Sequence, residues 1–172
     1  MIALNQSTEP LEVQVFLPDA VIKGSTNLSP GRWRLGEALN TQETYLELKE
    51  ATIQRSGGNF ASPSIAIDKR DIVFAIPQET PEHLRSRRMA NLGSRTETAR
   101  IKIVALASTY LVEGSAHSLP GTQMPRVITA SPAYFPHFLS VTDCRVTDAE
   151  GQALEAEFVL LNREKITVLS GG

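Results

Sequence analysis

Histidine and serine are the residues of this chain that would carry acid–base or nucleophilic chemistry, and their spacing indicates neither. His83, His117 and His137 do not form the H-x-x-x-H or H-x-H patterns of zinc sites. Residues 115–118 place a serine beside His117, but neighbours in sequence are not a catalytic dyad, and no glycine elbow surrounds the serine. We therefore expect no enzyme activity, no metal and no cofactor.

Basic residues form the second group with chemical meaning, because lysine and arginine bind phosphates and other anions. Two short charged segments, 68–71 and 162–165, interrupt apolar strands and are predicted to be tight turns. A polar, arginine-rich stretch at 77–100 is predicted to be a solvated linker, with an acidic partner or a phosphate backbone as the alternative. The candidate anion-binding or nucleic-acid-binding residues are Lys69, Arg70, Arg85, Arg87, Arg88 and Arg163.

The densest aromatic cluster lies at residues 134–138 and contains Tyr134, Phe135 and Phe138. Aromatic rings of this kind stack on bases or ligands, which is one interpretation. We favour a packing role, in which the three residues join two parts of the chain or form a subunit interface.

Composition limits the class of protein. A net charge of −2 gives no basic field, which argues against purely electrostatic binding of nucleic acid. The single cysteine, Cys144, excludes an internal disulfide and is predicted to be a small buried apolar residue. No apolar run is long enough to cross a membrane, and the N-terminus lacks a secretion signal, so we expect a cytoplasmic protein.

The elements that must position these residues occur twice. Residues 21–25 (VIKGS) recur as 111–115 (LVEGS), and 65–72 (IAIDKRDI) recur as 159–166 (VLLNREKI). The shift between the copies is 90 at Gly24 and Gly114, 93 at Leu46 and Leu139, and 94 at the last segment. The shift only grows, as small loop insertions in the second copy require, so we infer an internal duplication.

Each copy contains one strand whose alternation is interrupted. The apolar positions are Leu46, Leu48, Ala51 and Ile53 in the first copy, and Leu139, Val141, Cys144 and Val146 in the second. A regular strand keeps a period of two, so the three-residue step predicts a bulge at 49–50 and at 142–143. Glu50 and Asp143 lie at these bulges, where we expect each carboxylate to accept hydrogen bonds from backbone N–H groups rather than to act in catalysis.

These patterns predict a mostly β protein with short helices, built from two pseudo-symmetric small β-barrel or bent-sheet units. The predicted domains are a first β repeat at 11–76, the arginine-rich linker at 77–100 and a second β repeat at 101–170. A short helix is predicted between the second and third strands of the first copy, with Ser29 as its N-cap, Pro30 at its first position and Asn40 at its end. Its apolar residues fall close to helical spacing and are Trp33, Leu35, Ala38 and Leu39.

The order of elements resembles the small β-barrels of the Sm-like superfamily, as in duplicated bacterial domains of this kind. The resemblance rests on Gly24 with 46–51 and on Gly114 with 139–144, each followed by a strand, a charged turn and a last strand. It implies a barrel and a ring-like or paired assembly. Neither copy has the aspartate–asparagine loop pair or the arginine–glycine pair that RNA-binding members use, so the resemblance implies RNA binding less directly.

Three functional hypotheses follow. The first is a non-catalytic binding or scaffolding module that associates with itself or with a protein partner. The second is an Sm-like nucleic-acid-binding protein that uses the basic turns and the linker arginines. The third is a small hydrolase-type enzyme, for which the sequence offers no set of catalytic residues.

Overall fold

A computed structural model describes residues 10–28, 34–78, 99–118, 123, 126 and 137–171. The strands are β1 (Pro10–Phe16), β2 (Ala20–Asn27), β3 (Tyr45–Arg55), β4 (Gly58–Asp68), β5 (Phe74–Gln78), β6 (Ala99–Ala107), β7 (Tyr110–Ser118), β8 (Phe138–Thr147), β9 (Ala153–Asn162) and β10 (Ile166–Gly171). Helix α1 (Leu35–Leu39) and a 3-10 turn (Arg163–Lys165) accompany them among the described residues. The prediction of a mostly β protein is confirmed.

The ten strands form a single antiparallel sheet in the order β10-β6-β7-β8-β9-β5-β1-β2-β3-β4. The sheet is open, because β10 and β4 stand at opposite ends of this order and do not pair with each other. We refer to β1–β5 as the first half and to β6–β10 as the second half. The halves meet where β5 pairs with β9.

Strand pairing follows the same order within each half, and the registers correspond under the shifts seen in the sequence. In the first hairpin, Val15 opposite Ile22 corresponds to Ala105 opposite Val112. Between the third and fourth strands, Leu46 opposite Ile67 corresponds to Leu139 opposite Leu161. Between the first and last strands, Phe16 opposite Phe74 corresponds to Leu106 opposite Val168.

The two predicted bulges are present. The register of β3 on β2 shifts between Lys23 and Ser25, and that of β8 on β7 shifts between Glu113 and Ser115. Glu50 and Asp143 have positive φ angles of 49° and 53°, so each bulge contains one residue in the left-handed region of the backbone. The interrupted alternation therefore predicted the bend correctly in both halves.

A close backbone approach explains the glycine opposite each bulge. A Cβ atom at Gly24 would lie 2.9 Å from the carbonyl oxygen of Lys49, and one at Gly114 would lie 2.9 Å from that of Thr142. Cys144 is buried beside Gly114, as the sequence predicts for a small apolar residue, and Ala51 is buried beside Gly24.

The core consists of two clusters that share the strands at the middle of the sheet. Phe74 and Leu161 belong to the cluster of the second half, whereas Leu160 belongs to that of the first half. Phe16 stacks on Phe74 at 4.1 Å between ring centroids, and the ring of Tyr110 meets both edge-on. Because β5 and β9 contribute side chains to both clusters, the two halves are packed as one body.

The helix predicted in the first half is present and short. Leu35 and Leu39 are buried, and the N–H of Asn40 donates to the carbonyl of Gly36 at the C-terminal end. In the described part of the chain, no helix is long and apolar enough to cross a membrane.

Candidate functional site: the charged turns and the central junction

Each half has a charged turn between its last two strands, and each turn begins with a side-chain cap. Oδ1 of Asp68 accepts from the N–H of Arg70 at 2.9 Å, and Oδ1 of Asn162 accepts from the N–H of Glu164 at 3.0 Å. Aspartate and asparagine favour turns because they bond to the backbone two residues later. The two segments predicted to be tight turns are therefore built in the same way.

Lys69, predicted to bind anions, is buried within the first half. Its Nζ donates to the carbonyl oxygen of Ala38 and to Oγ1 of Thr41, both at 2.8 Å. Ala38 lies in the last turn of α1, where backbone carbonyls lack helical partners and a cation is favourable. The ammonium group thus holds the end of α1 against the turn.

Arg70 is the exposed member of the first turn, with 75% of its side chain accessible. Its guanidinium is bound to Asp68, with Nη2 to Oδ2 at 2.6 Å and Nε to Oδ1 at 3.1 Å. The side-chain and backbone hydrogen bonds from Arg70 lower the pKa of Asp68 to about 2. The carboxylate consequently stays charged at any ordinary pH and neutralises much of the guanidinium's charge.

Arg163 occupies the same place in the second turn as Lys69 in the first, and it is likewise buried. Its N–H donates to the carbonyl oxygen of His137 at 2.8 Å, which ties the turn to the start of β8. The structure thus places two of the predicted basic residues inside the protein and one on its surface. Arg85, Arg87 and Arg88 lie outside the described residues.

The turns come together at the central junction, which we define as β5 with β9 and the residues that bridge them. Leu161 lies opposite Phe74, and Leu160 lies opposite Ala75. The N–H of Asn162 donates to the carbonyl oxygen of Val73 at 2.9 Å.

The buried side chain of Asn162 adds further bonds across the central junction. Its Nδ2 donates to the carbonyl oxygen of Ile72 at 2.8 Å and to that of Lys69 at 3.4 Å. One asparagine therefore joins the second half to the first with its main chain and its side chain. The sequence repeat pairs Asn162 with Asp68, but no local pattern in the sequence marks this role.

Phe138 is the only member of the predicted aromatic cluster among the described residues; Tyr134 and Phe135 lie outside them. It is buried in the core cluster of the first half, although it begins β8 of the second. Its N–H donates to Oδ1 of Asn40 at 2.8 Å, and its carbonyl accepts from Nδ2 of Asn40 at 3.3 Å.

An open cleft of about 270 Å³ lies beside the central junction. Its lining includes Lys69, Arg70, His137, Asn162 and Glu164. Nδ1 of His137 lies 3.2 Å from Oε1 of Glu164, and both side chains are substantially exposed. Lys69 and Asn162 bond to backbone carbonyls and His137 bonds to Glu164, so these polar groups hold the structure together more readily than they bind a ligand.

A second polar cluster surrounds the bulge of the second half. Oγ1 of Thr142 lies 3.0 Å from both Nε2 of His117 and Nη2 of Arg100. Arg100 also donates to Oδ2 of Asp143 at 3.1 Å, so a guanidinium, rather than the expected backbone N–H, is the partner of this carboxylate. Burial, and then the charge of Arg100, lower the pKa of His117.

The hydroxyl bonded to Nε2 of His117 is that of Thr142 and not that of Ser115. Ser115 is buried, and its carbonyl oxygen accepts from Oγ1 of Thr142 at 3.4 Å. Burial raises the pKa of Cys144 to about 12, so its thiol is not activated. Across residues 10–78 and 99–171, where described, no three potential metal ligands come together.

In comparisons with known proteins, no protein-family model, no curated protein and no solved structure matches the chain.

Proposed function

We propose that this protein is a non-catalytic binding or scaffolding module, built from two duplicated bent-sheet units, that associates with itself. Support for the duplication comes from corresponding registers, from positive φ at Glu50 and Asp143, and from side-chain caps at Asp68 and Asn162. Unrelated β segments have no physical reason to share all three features. We also propose that each half is related to the Sm-like small β-barrels. The proposal is supported by the strand order, which is the same in both halves.

The proposed self-association rests on one observation, which is that apolar side chains are exposed at the β10 end of the sheet. Val168, which corresponds in register to the fully buried Phe74, is 57% exposed. Leu106, which corresponds to the buried Phe16, is 38% exposed. Apolar residues that are core at the middle of the sheet thus lie open at its end, and an exposed strand edge of this kind favours pairing with another chain.

The nucleic-acid alternative receives less support from the charged turns. Lys69 and Arg163 are buried, and Arg70 is bound to Asp68. A phosphate backbone would have to displace these contacts, whereas phosphate-binding side chains are ordinarily presented to solvent. The roles of these side chains in holding the turns favour the scaffolding hypothesis.

Size-exclusion chromatography with light scattering tests the proposal. A self-associating module has a mass above that of the 18.8 kDa chain, and the mass rises with concentration if the association is reversible. A constant mass of one chain over micromolar to millimolar concentrations would contradict self-association and leave a monomeric ligand-binding module.

A further inference from the structure

The two ends of the sheet expose the counterparts of the two strands that meet at the central junction. β10 corresponds to β5, and β4 corresponds to β9, as the shared registers establish. β4 pairs with β3 alone, and β10 pairs with β6 alone, in the portion of the chain that is described. β5 and β9 pair with each other inside the molecule. Among the described strands, their counterparts, β10 and β4, lie unpaired on one side at the two ends of the sheet.

The register of the central junction predicts the register of the external contact. Phe74 opposite Leu161 translates to Val168 opposite Ile67, and Ala75 opposite Leu160 translates to Leu169 opposite Ala66. Antiparallel partners lie about 4.5–5.5 Å apart between Cα atoms, so these pairs would contact each other directly.

Side-chain sizes at the two edges are complementary under this register. At the central junction, the small residue is Ala75 on β5 and the large one is Leu160 on β9. At the edges the sizes are exchanged, with the large Leu169 on β10 and the small Ala66 on β4. The combined volume of this pair is therefore preserved, whereas Val168 with Ile67 fills less space than Phe74 with Leu161.

This inference rests on the proposed function. We infer that the edge strands bind a second copy of this chain, and that β10 of one copy pairs with β4 of the next. The contact is head-to-tail, because it joins two different edges. An open chain of copies keeps one β4 edge and one β10 edge exposed at its ends, and a ring forms if these two edges meet.

Asp68 makes the external contact weaker than the central junction. At that junction, Nδ2 of Asn162 donates to the carbonyl oxygens of Ile72 and Lys69. In the external contact Asp68 takes the place of Asn162, and its carboxylate would face the carbonyl oxygens of Ile166 and Arg163 of the next copy. A carboxylate cannot donate, so two acceptors oppose each other unless Arg70 moves between them. We therefore expect the extent of association to depend on the protein concentration.

A disulfide tests the register. The double variant Ala66→Cys with Leu169→Cys, on a Cys144→Ala background, places the two thiols opposite each other across the proposed contact. Mild oxidation should convert most of the protein into a covalent ladder. The matched control, Ser62→Cys with Leu169→Cys, moves one thiol about 13 Å along the same face of β4 and should not cross-link.

Substitution of Asp68 tests the strength of the contact. Asp68→Asn restores the amide donor and should lower the concentration of half-association roughly tenfold, the effect of about one added hydrogen bond. Asp71→Asn, an exposed change on the same turn, removes the same charge without adding the donor and should leave that concentration unchanged.

The outcomes separate this inference from the proposed function. A specific 66–169 cross-link together with tighter association of Asp68→Asn alone supports the inference. Association of the wild type without the cross-link overturns the strand contact and leaves the scaffolding proposal standing. A cross-link with equal effects of Asp68→Asn and Asp71→Asn overturns the role of Asp68. A wild type that is monomeric throughout overturns both proposals.

Discussion

The side-chain amide of Asn40 hydrogen-bonds to both the N–H and the carbonyl of Phe138, 98 positions later in the chain. The residue that ends α1 in the first half therefore fixes the first residue of β8 in the second. Phe138 is buried against the core of the first half, so this pair of bonds and the packing of the ring act at the same place.

Replacing Asn40 with alanine should reduce the free energy of unfolding by about 1–3 kcal/mol, because the partly buried donor and acceptor of Phe138 lose their partner. Urea denaturation followed by fluorescence measures this change. Gln42→Ala, an exposed substitution in the same loop, serves as the control and should have little effect. Equal stability of the two variants would show that the amide does not join the halves.

Alanine at Gly24 or Gly114 should lower the free energy of unfolding by about 1–3 kcal/mol, because the new Cβ would overlap a backbone carbonyl across the bulge. Thermal unfolding of both variants checks the prediction. Gly57→Ala is the matched control, since a Cβ there meets no atom within 4 Å. A melting temperature at Gly114→Ala equal to that of Gly57→Ala would contradict the close approach.

Lys69 and Arg70 are adjacent and carry the same charge, yet their substitutions should differ. Lys69→Met removes the donor to Ala38 and Thr41 and should cost about 1–3 kcal/mol of stability. Arg70→Ala removes an exposed pair and should change stability little, while the pKa of Asp68 rises toward its ordinary value. Chemical denaturation together with NMR titration of Asp68 measures both effects, and a larger loss in Arg70→Ala would refute the assignment.

His117 should make stability fall as the pH is lowered. Its pKa in the folded state is below the value of about 6.5 that the unfolded chain retains. The unfolded state therefore binds the proton more tightly, so the contribution is present above about pH 6.5 and is lost as the pH falls through the folded pKa. His117→Asn, which copies Asn27 at the corresponding position of the first half, should remove this part of the pH dependence. Urea denaturation midpoints at pH 5.5 and 7.5 measure this effect in the wild type and in His117→Asn. If both proteins lose the same stability between pH 7.5 and 5.5, His117 is not the group responsible.

The bulges could be predicted from the sequence because their signal is local. A three-residue step between Leu48 and Ala51, repeated between Val141 and Cys144, breaks the period of two within a single strand. The burial of Lys69 could not be predicted from the sequence, because a lysine in a charged turn is ordinarily solvated. Lys69 is buried because its side chain bonds to the end of α1, which is distant in sequence.

Long-range contacts could not be predicted for a similar reason. The pairing of β5 with β9 depends on which edges face each other after both halves have folded. Residues some 85 positions apart, such as Ala75 and Leu160, carry no mark of partnership in one sequence. The cluster of Arg100, His117 and Thr142 was missed because its members lie on three different strands.

The central claim is that the β10 end of the sheet is an association surface, and sedimentation velocity of three proteins tests it most directly. The wild type should sediment as species heavier than one chain, with a proportion that rises with concentration. Val168→Lys places a charge on the exposed edge and should sediment as a single chain of about 19 kDa. Leu154→Lys, a substitution of another exposed apolar residue on β9, should behave as the wild type does. Association of Val168→Lys to the same extent as the wild type would contradict the claim.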